Sequence, residues 1–581
     1  MAVKRLDVAI LTGCSLAILF LHLGNSRFWD QDEGYYASVA YEMYRRGDWI
    51  VPTFNEQLFA HKPPMMYWGM LLGFHVLGVS EFAARLPSAI FGCGSVLLVY
   101  ALGRRLFDRS TGLLAGLVLT SCFMFTIVAR SATADAHLCF FVMLAIYLWC
   151  RDAVDSRSEI PIAMQASRPL SIRWPTWIAV YAAMGMAVLC KGPIGVAFPI
   201  TILALVHLGE VCLRTTGGLQ SFLISLFRTV WGMRPLTGAI VISMVAGPWF
   251  IAMQWVTDGV FLGEFLGVHH LQRFSQAMDN HSGPIYYYIL ACLIGLYPWS
   301  AFAIPTAWNW LKRETRTSSF RGWLLVSAWI GVYLGVFSIA STKLPNYVIP
   351  AYPPLAIVIG VYMSTWVSQS SAMERRWQIT GWILLFFVGL LVVFAPLVLT
   401  SAEPFSGWLD RLQLDPSTRG TIRWISLLGV PLVVGGIVGL VLRSRDRTAS
   451  LAPCFAITAG AMTLLFWQVI VPIADRHQTP QDIATALANT HRNPDDPPSI
   501  AVLEYFRPSM VYYSGSAIDF FTDLPALAER LQSDPAPVVV LKEKSFESVR
   551  SLLPEGYRVT QSHSEFPRRG KVLILAPPLR R

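Results

Sequence analysis

Residues 28–68 read FWDQDEGYYASVAYEMYRRGDWIVPTFNEQLFAHKPPMMYW, a polar and aromatic insert that follows the first long apolar run, 6–23. Asp30, Asp32 and Glu33 fall close together in a chain that is 54% hydrophobic and only 14% charged. Carboxylates beside a membrane are costly without a partner or a task, so the cluster marks the insert as a candidate site. The competing local reading is structural. Asp30 or Asp32 can cap a short amphipathic helix from about Gly34 to Arg46, with Glu33 complementing its dipole. A cap explains neither the Tyr35-Tyr36 pair nor His61-Lys62-Pro63-Pro64 farther along the insert.

Outward from this insert the chain is too apolar for a soluble globule, with a mean hydropathy of +0.49 over 581 residues. Runs long enough to span a bilayer as helices fall at 6–23, 83–103, 112–130, 134–150, 175–190, 193–211, 236–254, 284–307, 322–340, 347–368, 377–400, 424–442 and 451–472. These predict about thirteen transmembrane helices, the first an anchor rather than a cleaved signal. With the N-terminus inside, the inner loops collect Arg104, Arg105, Arg109, Arg151, Arg157, Arg168, Lys312, Arg313, Arg316, Arg375, Arg376, Arg443, Arg445 and Arg447, as the positive-inside rule requires.

An odd number of spans places the remainder outside. There the turn-rich Pro494, Pro497 and Pro498 lead into Val- and Ile-rich runs (500–503, 537–541, 571–575) that alternate with helical patterns (481–490, 524–532, 546–553). The expected fold class is an all-α polytopic membrane domain, 1–473, with outer loops 25–82 and 256–283, followed by a small α/β soluble domain, 474–581. The net charge of +10 belongs mainly to the inner loops and leaves no nucleic-acid footprint. No phosphate-binding loop or dinucleotide fingerprint is present, so no nucleotide cofactor is expected. The nine cysteines lie in or at the ends of apolar runs, which argues against structural disulfides.

The informative cations are those that fall on the outer side: Lys62, Arg130, Lys191, Arg273 and Lys343. Snorkelling to water accounts for a single residue of this kind. Five at one level suit an anion, and the phosphate of a lipid is the natural one. Gly192 and Pro193 pin Lys191 between two spans, and Arg130 and Asp135 flank a tight turn where they can pair, either to hold the turn or to orient a catalytic carboxylate. The stretch 341–356, STKLPNYVIPAYPPLA, displays Lys343, Asn346 and Tyr347 around closely spaced prolines, and His269 and His270 lie in the second outer loop.

These residues resemble a known family. Phe28-Trp29-Asp30-Gln31-Asp32-Glu33-Gly34-Tyr35-Tyr36-Ala37, then Gly47 to Pro52, Lys62-Pro63 to Trp68, Asp135, Lys191-Gly192, His270 to Phe274 and Lys343 to Tyr347 are similar, in order, to the motifs of the bacterial aminoarabinose transferases that modify lipid A. Those enzymes are GT-C glycosyltransferases related to the protein O-mannosyltransferases. The resemblance implies transfer of a sugar from a polyprenyl (undecaprenyl) monophosphate donor to a lipid, glycan or protein acceptor at the outer, periplasmic face of a bacterial inner membrane. It implies Asp32 as the base, with Asp135 the second candidate catalytic carboxylate. Glu33, Tyr35, Lys62, Arg130, Lys191, Arg273, Lys343 and Tyr347 are the candidate substrate contacts. Two departures stand out: His61 and His269 occupy positions where the family shows glutamate. His61 and His270 are accordingly the candidate ligands of a divalent metal, zinc or magnesium, completed by carboxylate or substrate oxygen. The rival class is a lipid or glycan transporter or flippase, whose polar residues should line the bilayer midplane in repeated halves; here they gather at the outer edge.

Overall fold

The computed structural model describes residues 2–30, 32–153, 172–214, 218–276, 281–312, 320–367, 372–401, 407, 416–478, 480–490, 499–533, 537–565 and 570–577. Arg157, Arg168, Arg313 and Arg316 of the expected inner loops, and Pro494, Pro497 and Pro498, lie outside the described residues.

Every expected span falls on helical residues, but the count of about thirteen is not reached. Among the described residues nine helices are long and apolar enough to cross a membrane, or up to eleven if two bent pairs are each one span. The first run divides into a helix, Ala2–Ser15, and a π-turn, Leu16–Phe20. Trp174–Lys191 is diluted by Trp174, Pro175 and Thr176 at one end and Lys191 at the other. Of the bent pairs, Arg109–Ser121 and Phe123–Arg130 meet at 64°, and Tyr287–Gly295 and Trp299–Lys312 at 115°. The first bend is at Cys122, whose backbone is extended and whose Sγ reaches the Gly295 carbonyl at 3.1 Å.

One end of the bundle is held by the cations assigned to the inner side. Arg104 and Arg105 close the span Glu81–Leu106, and Arg105 donates to the carbonyls of Cys150 and Arg151, the last turn of Asp135–Ala153. Guanidinium groups there satisfy carbonyls that a helix C-terminus leaves without partners. Arg109 donates to both oxygens of buried Asp7 at 2.6 and 2.8 Å, tying the first helix to the same end.

The insert occupies the other end. Its helix, Asp32–Arg46, begins two residues earlier than expected, so Asp32 and Glu33 lie in its first turn. A two-stranded hairpin, β1 (Thr53–Phe54) and β2 (Gln57–Leu58), follows, then the apolar helix Met65–Leu77, too short to span. Ser80 caps the next span through the Ala83 N–H. Phe28, Ala37, Ala40, Met43, Met66 and Tyr67 form the insert's own buried core.

The C-terminal region forms a five-stranded sheet from β3 (Ile500–Leu503), β4 (Asp519–Phe521), β5 (Val538–Lys542), β6 (Arg558–Ser564) and β7 (Lys571–Ala576), in the order β4-β3-β5-β7-β6. β3 is parallel to β4 and β5, while β7 runs antiparallel to β5 and β6. The three apolar runs expected as strands are its three central strands. The two edges, β4 and β6, were not expected, because both are short of buried apolar residues.

Candidate active site

Two chambers meet beneath the insert. The smaller, about 120 Å³, is bordered by Asp32, Lys62, Asp135, Lys191, Arg273 and Tyr347. The larger, about 750 Å³, shares Asp32, Asp135 and Arg273 with it and extends past Trp29 and Tyr35 onto an apolar floor of Met124, Ile127, Phe466, Trp467 and Val471. Six segments far apart in the chain thus deliver the residues that the sequence singled out: the insert helix, the turn before Met65–Leu77 with Lys62, the start of Asp135–Ala153, the end of Trp174–Lys191, the segment after Glu264–Gln272, and the turn Pro345–Ala351 with Tyr347. Gly192 makes this possible for Lys191. At φ +72° it adopts the left-handed conformation that ends one helix and lets the next begin at Ile194, and a Cβ there would stand 2.6 Å from the Phe265 ring.

The three carboxylates have different surroundings. Glu33 is 5% exposed and accepts from Arg85 Nε and Nη2 at 2.9 and 3.0 Å, from the Ala132 N–H at 2.8 Å and from the Trp29 N–H at 3.2 Å. Asp135 pairs with Lys191 Nζ and accepts from Asn346 Nδ2 at 3.0 Å. Asp32 faces both chambers and is in ion-pair contact with no cation among the described residues; the Tyr36 hydroxyl, 3.4 Å from its Oδ1, is its hydrogen-bond partner. Of the three, Asp32 has the fewest donors about it among the described residues and faces both chambers.

Lys62, Lys191, Arg273 and Tyr347 converge as expected. Lys62 lies 5.8 Å from the Tyr36 ring centre, Lys191 5.1 Å from that of Tyr347, and Arg273 Nη1 donates to the Tyr347 hydroxyl at 3.4 Å. Burial, and then the neighbouring Lys191 charge, push the Lys62 ammonium down to about 8. Tyr35 stacks on Phe59, ring centres 5.5 Å apart, at the edge of the larger chamber.

Three expectations are corrected and one is extended. Glu33 borders the larger chamber, but its oxygens are taken up by Arg85 and two backbone N–H groups, a bracing role that the sequence did not suggest. Arg130 does not pair with Asp135: it donates to the carbonyls of Ile18, Leu21 and His22 at 2.6 to 3.3 Å and lies over the Trp467 ring, where the first helical run gives out. Lys343 turns away from the chambers and caps Phe320–Ile339, donating to the carbonyls of Ser338 and Ala340 at 2.8 Å. The imidazole that meets His61 is that of His269, ring centres 4.1 Å apart, while His270 holds the Phe265 carbonyl at 2.7 Å through Nδ1 and faces the Lys191 carbonyl through Nε2. Among the described residues no three His, Cys, Asp or Glu side chains converge to hold a metal ion.

Arg85 is the functional residue that sequence reasoning passed over. The signal was available: it is a cation at the outer end of a span, contrary to the positive-inside rule.

Comparison with known proteins agrees with this geometry. A family model described as dolichyl-phosphate-mannose-protein mannosyltransferase matches residues 61–232. The chain is 25% identical over 533 residues to an uncharacterized protein of Aquifex aeolicus, covering 91% of this chain and 89% of that one. It is 29% identical over 405 residues to undecaprenyl phosphate-alpha-4-amino-4-deoxy-L-arabinose arabinosyl transferase 2 of Proteus mirabilis, covering 68% of this chain and 66% of the transferase, just under two thirds of its length. The crystal structure of ArnT from Cupriavidus metallidurans bound to undecaprenyl phosphate superposes with a TM-score of 0.74 at 21% identity, covering 98% of this chain and 97% of ArnT. In fold the chain is similar to ArnT, and in sequence it is similar to membrane glycosyltransferases that use polyprenyl phosphate carriers. Among such enzymes its likeness runs to the aminoarabinose transferases, in sequence over 405 residues and in fold over almost the whole chain.

Proposed function

We propose that this protein transfers a sugar from a polyprenyl monophosphate carrier, undecaprenyl phosphate in a bacterium, to an acceptor at the periplasmic face of the inner membrane. The observation that carries the reading is Asp32, without an ion pair, at the junction of a small cationic chamber and a large amphiphilic one. The phosphate of the donor lies against Lys62, Lys191 and Arg273, which neutralise its charge as the bond to the sugar breaks. The acceptor oxygen enters from the larger chamber, Asp32 takes its proton, and the oxygen attacks the anomeric carbon. The apolar floor of that chamber favours a lipid-borne acceptor over a protein segment or a free glycan. The test is product analysis by mass spectrometry, with purified protein in vesicles supplied with polyprenyl phosphate sugar and glycolipid. Sugar appearing on the glycolipid with release of polyprenyl phosphate supports the reading; movement of intact donor across the bilayer without cleavage makes the protein a flippase.

Two expected outcomes concern Lys62. Lys62→Gln will weaken donor binding by about 1 to 3 kcal/mol, the range for charge-assisted hydrogen bonds, in a protein that still inserts and folds. The free protein's Lys62 titrates near pH 8, and the donor phosphodiester carries the same charge throughout that range. Raising the pH through 8 therefore removes the cation, not the anion, and donor affinity will fall from pH 7 to pH 9. Lys62→Arg keeps its charge and will flatten that dependence. Equal wild-type affinity at both pH values rules Lys62 out as the titrating group.

A further inference from the structure

The insert helix Asp32–Arg46 has two occupied faces. Asp32 and Tyr36 point into the chambers. Positions 34, 38, 41 and 45, spaced as one helical stripe, face the C-terminal region instead. At Gly34 a Cβ would stand 2.8 Å from the Ser509 backbone nitrogen, so only glycine lets the two segments approach. Ser38 Oγ donates to the Pro508 carbonyl at 3.1 Å, the Tyr41 ring packs 5.3 Å from that of Tyr512, and Arg45 donates to the Gly515 carbonyl.

The same region grips the insert on both flanks of this helix. Ahead of it, Arg27 clamps both oxygens of Asp482 at 2.8 and 3.0 Å, the Phe28 N–H donates to the Tyr513 hydroxyl at 2.9 Å, and Asp30 Oδ1 accepts the Ser509 N–H at 3.0 Å. Behind it, Asn55 and Ile518 exchange two hydrogen bonds of 2.7 and 2.8 Å. Among the described residues none beyond Val471 borders either chamber.

We infer that the C-terminal α/β region is the backstop of the active site: none of its described residues borders either chamber, and it holds the insert helix from behind so that Asp32 meets the acceptor oxygen. Asp30, whose contact with Ser509 lies two residues ahead of Asp32, is the positioning residue that couples the two. The inference rests on Asp32 being the base, and the test separates the two claims.

Asp30→Ala removes the acceptor for the Ser509 N–H, whereas Asp30→Asn keeps an acceptor oxygen and removes only the charge. In the full-length protein Asp30→Ala will lower kcat roughly 10²-fold, the effect of an ångström-scale misplacement, with the KM for donor within about twofold of wild type. Asp30→Asn will restore most of kcat. Gly34→Ala, which pushes the same two segments apart, will reproduce the kcat loss. Full kcat in folded Asp30→Ala, or an Asp30→Asn variant as inactive as Asp30→Ala, overturns the inference; the second result would make Asp30 a chemical participant. Near-normal turnover in Asp32→Asn would instead remove the base assignment, whatever Asp30 does.

Discussion

Asp32→Asn will reduce turnover by roughly 10²- to 10⁴-fold, the contribution of general base catalysis, while expression and donor binding persist. The substitution is nearly isosteric and keeps an acceptor for the Tyr36 hydroxyl, so the local structure has no reason to change. Asp32 is in no ion pair among the described residues and acts on the buried Lys62 only through space, so neutralising it strands less charge than the same change at Asp135, where Lys191 would lose its counterion. The two variants should therefore fail differently. Asp32→Asn will bind donor and stall; Asp135→Asn will lose donor affinity and stability along with turnover, since Lys191 is released from its place. Single-turnover measurements with bound donor discriminate them. If Asp32→Asn turns over near normally and Asp135→Asn binds donor but is inactive, the basic group is Asp135.

How far the sequence revealed this site follows from what a charge can be asked to do at a membrane interface. Asp32, Lys62, Lys191, Arg273 and Tyr347 were legible because outer-edge charges need a reason, and the structure brings them around one chamber. The same argument misplaced Lys343, and for Arg130, which borders the larger chamber, it missed the partners. Both are outer-edge cations, but their anionic surroundings are backbone carbonyls at the ends of helical segments, and carbonyls leave no mark in the sequence. Lys343 serves a helix that ends only four residues earlier, so it was better placed to cap than to reach a chamber. The two histidines went astray for a related reason: adjacency in the chain does not say which of His269 and His270 turns toward His61. Apolar length located the spans, but hydropathy is blind to a bend, and Cys122 and the break between Gly295 and Trp299 interrupt runs that read as continuous. In the C-terminal region the buried central strands carry a Val and Ile signal; exposed β6 carries none.

Arg85→Met is expected to destabilise the protein by about 3 to 5 kcal/mol, the penalty for stranding one charge of a buried pair. The guanidinium is nearly enclosed, and besides Glu33 it donates to the carbonyls of Leu23, Ser26 and Arg27 at 2.7 to 3.2 Å. Glu33 in turn accepts the N–H of Ala132, in the turn that leads into Asp135. One ion pair thus joins four segments: the exit of the first helical run, the start of the insert helix, the span Glu81–Leu106, and the turn before Asp135. Removing Arg85 leaves the Glu33 carboxylate buried with only two backbone N–H donors, and the carbonyls of Ser26 and Arg27 without this one. Glu33→Gln added to Arg85→Met removes the stranded charge and will recover part of the loss, because neutral amides tolerate burial that a lone carboxylate does not. Thermal inactivation rates in detergent, compared across the two single variants and the double, measure the coupling, since a membrane protein of this size has kinetic rather than equilibrium stability under heating. Additive losses would show that Arg85 and Glu33 act independently. A double variant more stable than Arg85→Met alone shows that the pair is the brace that joins these four segments at the wall of the larger chamber.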